Sequence, residues 1–219
     1  MIIQKRNLVS IFLLAFVAVA AIIYYLFVLR PQQEYYYKHH VNIQGTYLIH
    51  PLEINNFELT DTKGNKFTKD NLQGHWTLLF AGFTHCNSVC PLVMDVLDKT
   101  YIKLQSEITK NKLPKIVLLT IDPEADSLPQ LNKFLSKFNP DFIGVRGDTR
   151  ETTEIVDQLH VVVNRKEGNS NINHGGEILL INPQAKIQAY FTYPQRPDIL
   201  AADYQKILTK NDESNKEIH

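Results

Sequence analysis

Cysteine is scarce in this chain: 219 residues carry two, Cys86 and Cys90. A disulfide framework of the kind that staples small secreted domains is therefore excluded. Charge of one sign is not in surplus either, with 23 Lys and Arg against 23 Asp and Glu, so the basic footprint of a nucleic-acid binder is missing. Internal repeats and low-complexity blocks are absent. No Ser-His-Asp order, phosphate-binding loop or paired-carboxylate motif stands out, and no hydrolytic activity is assigned.

Long apolar runs are rare, with one exception. From Leu8 to Leu29 the chain carries no charge and is apolar apart from Ser10, Tyr24 and Tyr25. As a helix rising ~1.5 Å per residue, this run is about 33 Å long, enough to cross a bilayer core. Lys5 and Arg6 precede it, which predicts an amino terminus (residues 1–7) in the cytoplasm and the remainder on the outer face. Ala18-Val19-Ala20 has the small-x-small form of a signal-peptide cleavage site. Cleavage there would cut the apolar run in half, so an uncleaved anchor over 8–29 is the expectation. Residues 30–50 read as a tether, 51–209 as one globular domain and 210–219 as a frayed tail.

Within the domain, Trp76 to Phe83 is an apolar run of strand length that leads into the cysteine segment. After it, Leu92/Val93, Val96/Leu97, Tyr101, Leu104 and Ile108 recur at helical spacing, with Ser88 as N-cap and Pro91 in the first turn. Ile116 to Ile121 predicts a second strand. The capping-box pattern Ser127-x-x-Gln130 predicts the next helix, and Asp148-x-x-Glu151 after the candidate strand Phe142–Val145 predicts another. Glu177–Ile181 and Lys186–Phe191 read as a hairpin before a helix from about Pro197, and Glu53 to Phe67 as an earlier hairpin turning at Asp61–Gly64. This order predicts an α/β, thioredoxin-like layer, with residues 141–173 as an insertion.

The two cysteines sit where a strand gives way to a helix. Residues at i and i+4 of a regular helix have Cβ atoms ~5 to 6 Å apart, whereas a disulfide needs ~3.5 to 4.5 Å. Cys86 is therefore expected in the loop before the helix, where either a bridge or a two-thiolate chelate is reachable. Cys90, near the helix start, is expected to have a lowered pKa, and Cys86 to share part of the effect. A purely structural bridge is the competing reading, but so small a loop adds little chain-entropy stabilisation.

Thioredoxin-type redox sites use Cys-x-x-Cys; the extra residue here widens the bite. Two soft thiolates select Cu(I), and an added imidazole suits Cu(II) as well; zinc accepts such ligands but usually takes four. Of the eight histidines, His174 lies in the polar, Gly-rich stretch Asn171-Ile172-Asn173-His174-Gly175-Gly176. His85 adjoins Cys86 but is expected to point the other way.

Taken together, Gly82-Phe83-Thr84-His85-Cys86-x-x-Val89-Cys90-Pro91, then Asp122-Pro123-Glu124, then His174 before a strand ending Leu180-Ile181-Asn182-Pro183, resemble the Sco/SenC family of membrane-anchored copper proteins. The similarity runs over most of Phe57 to Leu208. Asn87-Ser88 stand where the family usually has Pro-Asp, and Ala125-Asp126-Ser127 where it often has Arg-Asp-Thr. The resemblance implies a thioredoxin-like domain on the periplasmic or outer face of a bacterial inner membrane, holding copper through Cys86, Cys90 and His174. It implies work on the copper-bearing subunit of cytochrome c oxidase, by copper delivery or by reduction of that subunit's cysteines. The alternative is a thiol-disulfide oxidoreductase in which Cys86 and Cys90 form the redox pair and act on another extracytoplasmic thiol or copper protein.

Overall fold

The computed structural model describes the backbone of residues 2–165 and 172–217; side chains at 2–9, 37–39, 164–165, 172–174, 214–215 and 217 lie outside the description. Two compact units result, residues 1–40 and 41–219.

The first unit is helical. α1 (Ile2–Tyr24) passes through a π-helical turn at Tyr25–Leu29 into α2 (Arg30–His39). Ser10–Tyr36 is long and apolar enough to cross a membrane, and its apolar side chains are exposed. The first ten residues of the expected tether are thus helical. Pro31 lies in the first turn of α2, directly after the π-helical turn.

The second unit is built on β1 (Thr46–Glu53), β2 (Glu58–Asp61), β3 (Lys66–Thr68), β4 (Thr77–Gly82), α3 (Val89–Glu107), β5 (Lys115–Thr120), α4 (Leu128–Leu135), β6 (Ile143–Arg146), α5 (Thr149–Gln158), β7 (Val163–Arg165), β8 (Ile172–His174), β9 (Ile178–Ile181), β10 (Lys186–Phe191) and α6 (Pro197–Glu217). Eight strands form one sheet in the order β1-β10-β9-β4-β5-β6-β2-β3, and β7 pairs with β8 in a separate ribbon. β4, β5 and β6 run parallel; the other neighbours are antiparallel.

The central strands read as unbroken apolar runs because both faces are covered. Residues of one strand alternate between faces. Leu79 joins Leu119, Val145, Ile155 of α5 and Leu159 just past the end of that helix on one side, while Trp76, immediately before β4, meets Tyr204 of α6 edge-on at 6.3 Å. α3 packs along α6. Both expected capping boxes are formed, at Ser127/Gln130 and at Asp148/Glu151.

Three expectations change. β6 bonds to both β5 and β2, so residues 143–158 are part of the main layer and not an insertion. β1 begins inside the expected tether; Pro51 obscured it in the sequence, yet a proline is tolerated on an edge strand, and the pairing shifts register between Tyr47 and Leu52. The expected frayed tail continues α6 to Glu217.

Candidate functional site

The cysteine segment begins where β4 ends. Gly82, the last residue of that strand, lets a sulfur approach the backbone: a methyl group there would lie 3.2 Å from Cys90 Sγ and 2.6 Å from the Phe80 ring. The chain then turns, with Cys86 N–H donating to the Phe83 carbonyl at 3.4 Å. α3 starts at Val89, so Cys86 lies in the loop, as expected, and Cys90 in the first turn. Ser88 occupies the N-cap position, but its side chain does not cap the helix; its Oγ lies 3.9 Å from Cys86 Sγ.

No disulfide joins the two cysteines, and they differ sharply. Cys86 is half-buried; Cys90 is fully buried, at 0% exposure. Cys86 Sγ accepts a hydrogen bond from Cys90 N–H at 3.4 Å. Burial pushes the Cys86 thiol up, but hydrogen bonds from the Cys90 and Ser88 backbone and side chains outweigh it and hold the thiol below its ordinary value. At Cys90 burial dominates and drives the thiol far above the ordinary range. The Phe83 backbone opposes this, and the proximity of Cys86 and Asp126 adds to it. The expectation at Cys90 is thus reversed: a helix N-terminus favours thiolate, but removal from water disfavours it more.

Sequence reasoning assigned no role to Asp126. It is fully buried at 0% exposure and accepts from Thr84 N–H at 3.0 Å, from Thr84 Oγ1, and from Thr120 Oγ1 at 2.7 Å. His85 Nδ1 lies 3.1 Å from its Oδ1, so His85 turns towards this carboxylate. Asp126 therefore joins the end of β5 to the loop that carries Cys86. The signal available in the sequence was a lone acidic residue after Asp122-Pro123-Glu124, which reads equally well as a turn.

His174 ends β8, its backbone paired with Val163 of β7; its side chain lies outside the described residues. Two positions later, Gly176 is buried against Val89 and Tyr193, which brings the backbone following His174 to the first turn of α3. Among the described residues, no group of three or more His, Cys, Asp or Glu side chains is assembled for a metal ion. The two thiols do fit a soft cation, since no disulfide joins them and the Cys90 backbone N–H lies within hydrogen-bond distance of Cys86 Sγ.

Comparison with known proteins agrees with this geometry. A Stutzerimonas stutzeri protein named for copper binding is 30% identical over 170 residues, covering 75% of this chain and 82% of that one. The chain spans about half the length of mitochondrial relatives such as the SCO2 homologue of Danio rerio, with 29% identity and 50% of that protein covered. Yeast Sco1 crystallised with copper bound superimposes with a TM-score of 0.62 at 26% identity, over 73% of this chain and 88% of that one. BsSco, a member of the Sco family of cytochrome c oxidase assembly proteins in which a disulfide switch was identified, shares the fold at 22% identity and a TM-score of 0.61, over 75% of this chain and 97% of that one. Residues 48–209 match SCO1/SenC, a span that includes both sulfurs, Asp126 and the whole main sheet except its first two positions, and on this match the chain belongs to the SCO1/SenC family.

Proposed function

We propose that the chain is a membrane-anchored copper-binding protein that assists maturation of the copper centre of cytochrome c oxidase. Copper is the cargo, held by the thiolates of Cys86 and Cys90 with His174 as third ligand for Cu(II). The observation that carries this reading is the pair of reduced cysteines at one strand-to-helix turn, with Cys90 N–H donating to Cys86 Sγ. Soft sulfur donors select Cu(I), and an imidazole nitrogen extends the set to Cu(II). Support also comes from relatives: the Stutzerimonas stutzeri protein is named for copper binding, and yeast Sco1 holds copper in its crystal. The apolar helix is the anchor, with the amino terminus in the cytoplasm and the domain on the outer face of a bacterial inner membrane, by the placement of Lys5 and Arg6.

Loading releases protons, because both sulfurs bind as thiolates. Cys86 gives up its proton more readily and is the half-buried sulfur, so it makes first contact with incoming copper and Cys90 closes behind it. Asp126 keeps the loop fixed through Thr84 while the sulfurs exchange protons for metal.

The asymmetry of the thiols also favours a second reading, reduction of a partner's disulfide. The Cys86 thiolate attacks one sulfur of that disulfide, forming a mixed disulfide and expelling the other sulfur as thiolate. Cys90, losing its proton, then attacks Cys86 Sγ and expels the second partner thiolate. Two electrons pass to the partner, and this chain is left with a Cys86–Cys90 bridge.

Anaerobic titration of the reduced, detergent-solubilised full chain with Cu(I) and then Cu(II), beside His174→Ala, separates the readings. One tightly held copper per chain, with Cu(II) binding weakened by the variant, supports copper carriage. Weak binding indifferent to His174, with disulfide exchange intact, transfers the assignment to an oxidoreductase.

A further inference from the structure

The connection between β8 and β9 is held more tightly than a glycine-rich stretch requires. Gly176 is buried, and a methyl group there would lie 2.8 Å from Val89 Cγ1 and 2.9 Å from Tyr193 Cβ. Tyr193 Cβ is fixed to its backbone and cannot yield, so only glycine lets the connection come this close. The Gly176 carbonyl also accepts a hydrogen bond from Gln195 Nε2 at 2.8 Å, and the same nitrogen donates to the Phe191 carbonyl at 2.7 Å. One amide thus joins the connection to the end of β10. The other end of that amide, Gln195 Oε1, is buried and has no hydrogen-bond partner among the described residues. Both of these hydrogen bonds are made by Nε2, so the orientation of the side chain is set by what that nitrogen donates to.

Gly175 behaves differently. It is exposed, and the atoms nearest to a methyl group there would be the carboxylate of Glu177, the far end of a flexible side chain.

The clamp matters because of what lies at each end of it. Val89 directly precedes Cys90, and Gly176 lies two residues past His174, at most about 7 Å along the chain. The contact therefore sets how far the backbone of His174 can move from the turn that carries both sulfurs. Two thiolates satisfy Cu(I) without further help, whereas Cu(II) prefers nitrogen ligands and a more demanding geometry. We propose that Gly176 and Gln195 are positioning residues for Cu(II): they fix the β8–β9 connection against the first turn of α3 and leave Cu(I) binding to the cysteine pair. This rests on the reading that His174 is the third ligand.

The test compares Cu(I) and Cu(II) affinities, and the sulfur-to-Cu(II) charge-transfer absorption, for the full chain in detergent and for Gly175→Ala, Gly176→Ala, Gln195→Ala and His174→Ala. Gly176→Ala and Gln195→Ala are expected to keep Cu(I) affinity, which also reports an intact fold. They are expected to weaken Cu(II) by about 10- to 100-fold, the range for residues that orient a ligand, and to shift the absorption towards that of His174→Ala. Gly175→Ala is expected to match the parent. Parent-like Cu(II) affinity and absorption in both clamp variants, with His174→Ala still impaired, would overturn the clamp and leave copper carriage standing. Equal loss of Cu(I) and Cu(II) in Gln195→Ala would overturn it too, since the side chain would then be supporting the whole turn. A His174→Ala variant that binds Cu(II) like the parent removes the third-ligand reading and the clamp with it.

Discussion

The two cysteines differ in exposure and in acidity, and each difference predicts a measurable rate. Alkylation by iodoacetamide proceeds through the thiolate. With its pKa held below the ordinary thiol value by N–H···S and Ser88 contacts, Cys86 is expected to reach its maximal rate at a lower pH than a free thiol. Cys90, buried and far less acidic, is expected to react at least about tenfold more slowly at neutral pH, read by mass spectrometry of the modified peptides. Cys86→Ser should leave the fold intact and abolish copper binding in the same titration. Asp126 behaves as a structural hub, because its removal leaves Thr84 N–H and the buried Thr120 Oγ1 without their acceptor. Asp126→Ala is expected to lower stability by about 1 to 3 kcal/mol in urea denaturation, the range for leaving a buried polar group without its hydrogen-bond partner. Asp126→Asn, which keeps acceptor capacity, should lose less.

At the scale of elements, Leu97 on α3 is fully buried in the core, and Leu97→Ala is expected to cost about 2 to 5 kcal/mol. Removing the formed cap with Ser127→Ala should cost about 1 kcal/mol. Both are read from the shift of the unfolding midpoint. The elements with a strong local signal were legible in the sequence: β4 and β5 as unbroken apolar runs, α3 from its apolar stripe, α4 and α5 from their capping boxes. β1 was not, because its residues are only partly buried and Pro51 interrupts the pattern. The place of β6 in the main sheet was not legible either, since pairing with β5 and β2 depends on partners distant in sequence. The position of both sulfurs could be read from the spacing of Cys86, Ser88 and Cys90. Their opposite acidities could not, because they depend on how deeply Cys90 sinks against Gly82. The roles of Asp126 and Gly176 also arise from long-range contacts that leave no local pattern.

In the domain as a whole, the chemistry and one pH-sensitive weak point lie at opposite ends of β4. His75 precedes that strand, and burial, helped by nearby Lys115, holds its imidazole below the ordinary histidine value against the pull of the Gln73 and Asn71 backbone. The unfolded chain then binds the proton more readily than the folded one, so stability is expected to rise with pH until it passes about 6.5, the unperturbed value, and to fall below it. Thermal unfolding between pH 5 and 8 checks this, and His75→Gln should flatten the acid side without altering copper affinity. The sheet also ends in two poor templates. β1 carries Pro51 and a break in register, and β3 has only three residues. A backbone edge interrupted in this way recruits neighbouring strands poorly, so copies brought together at high local concentration are protected from zipping together sheet to sheet.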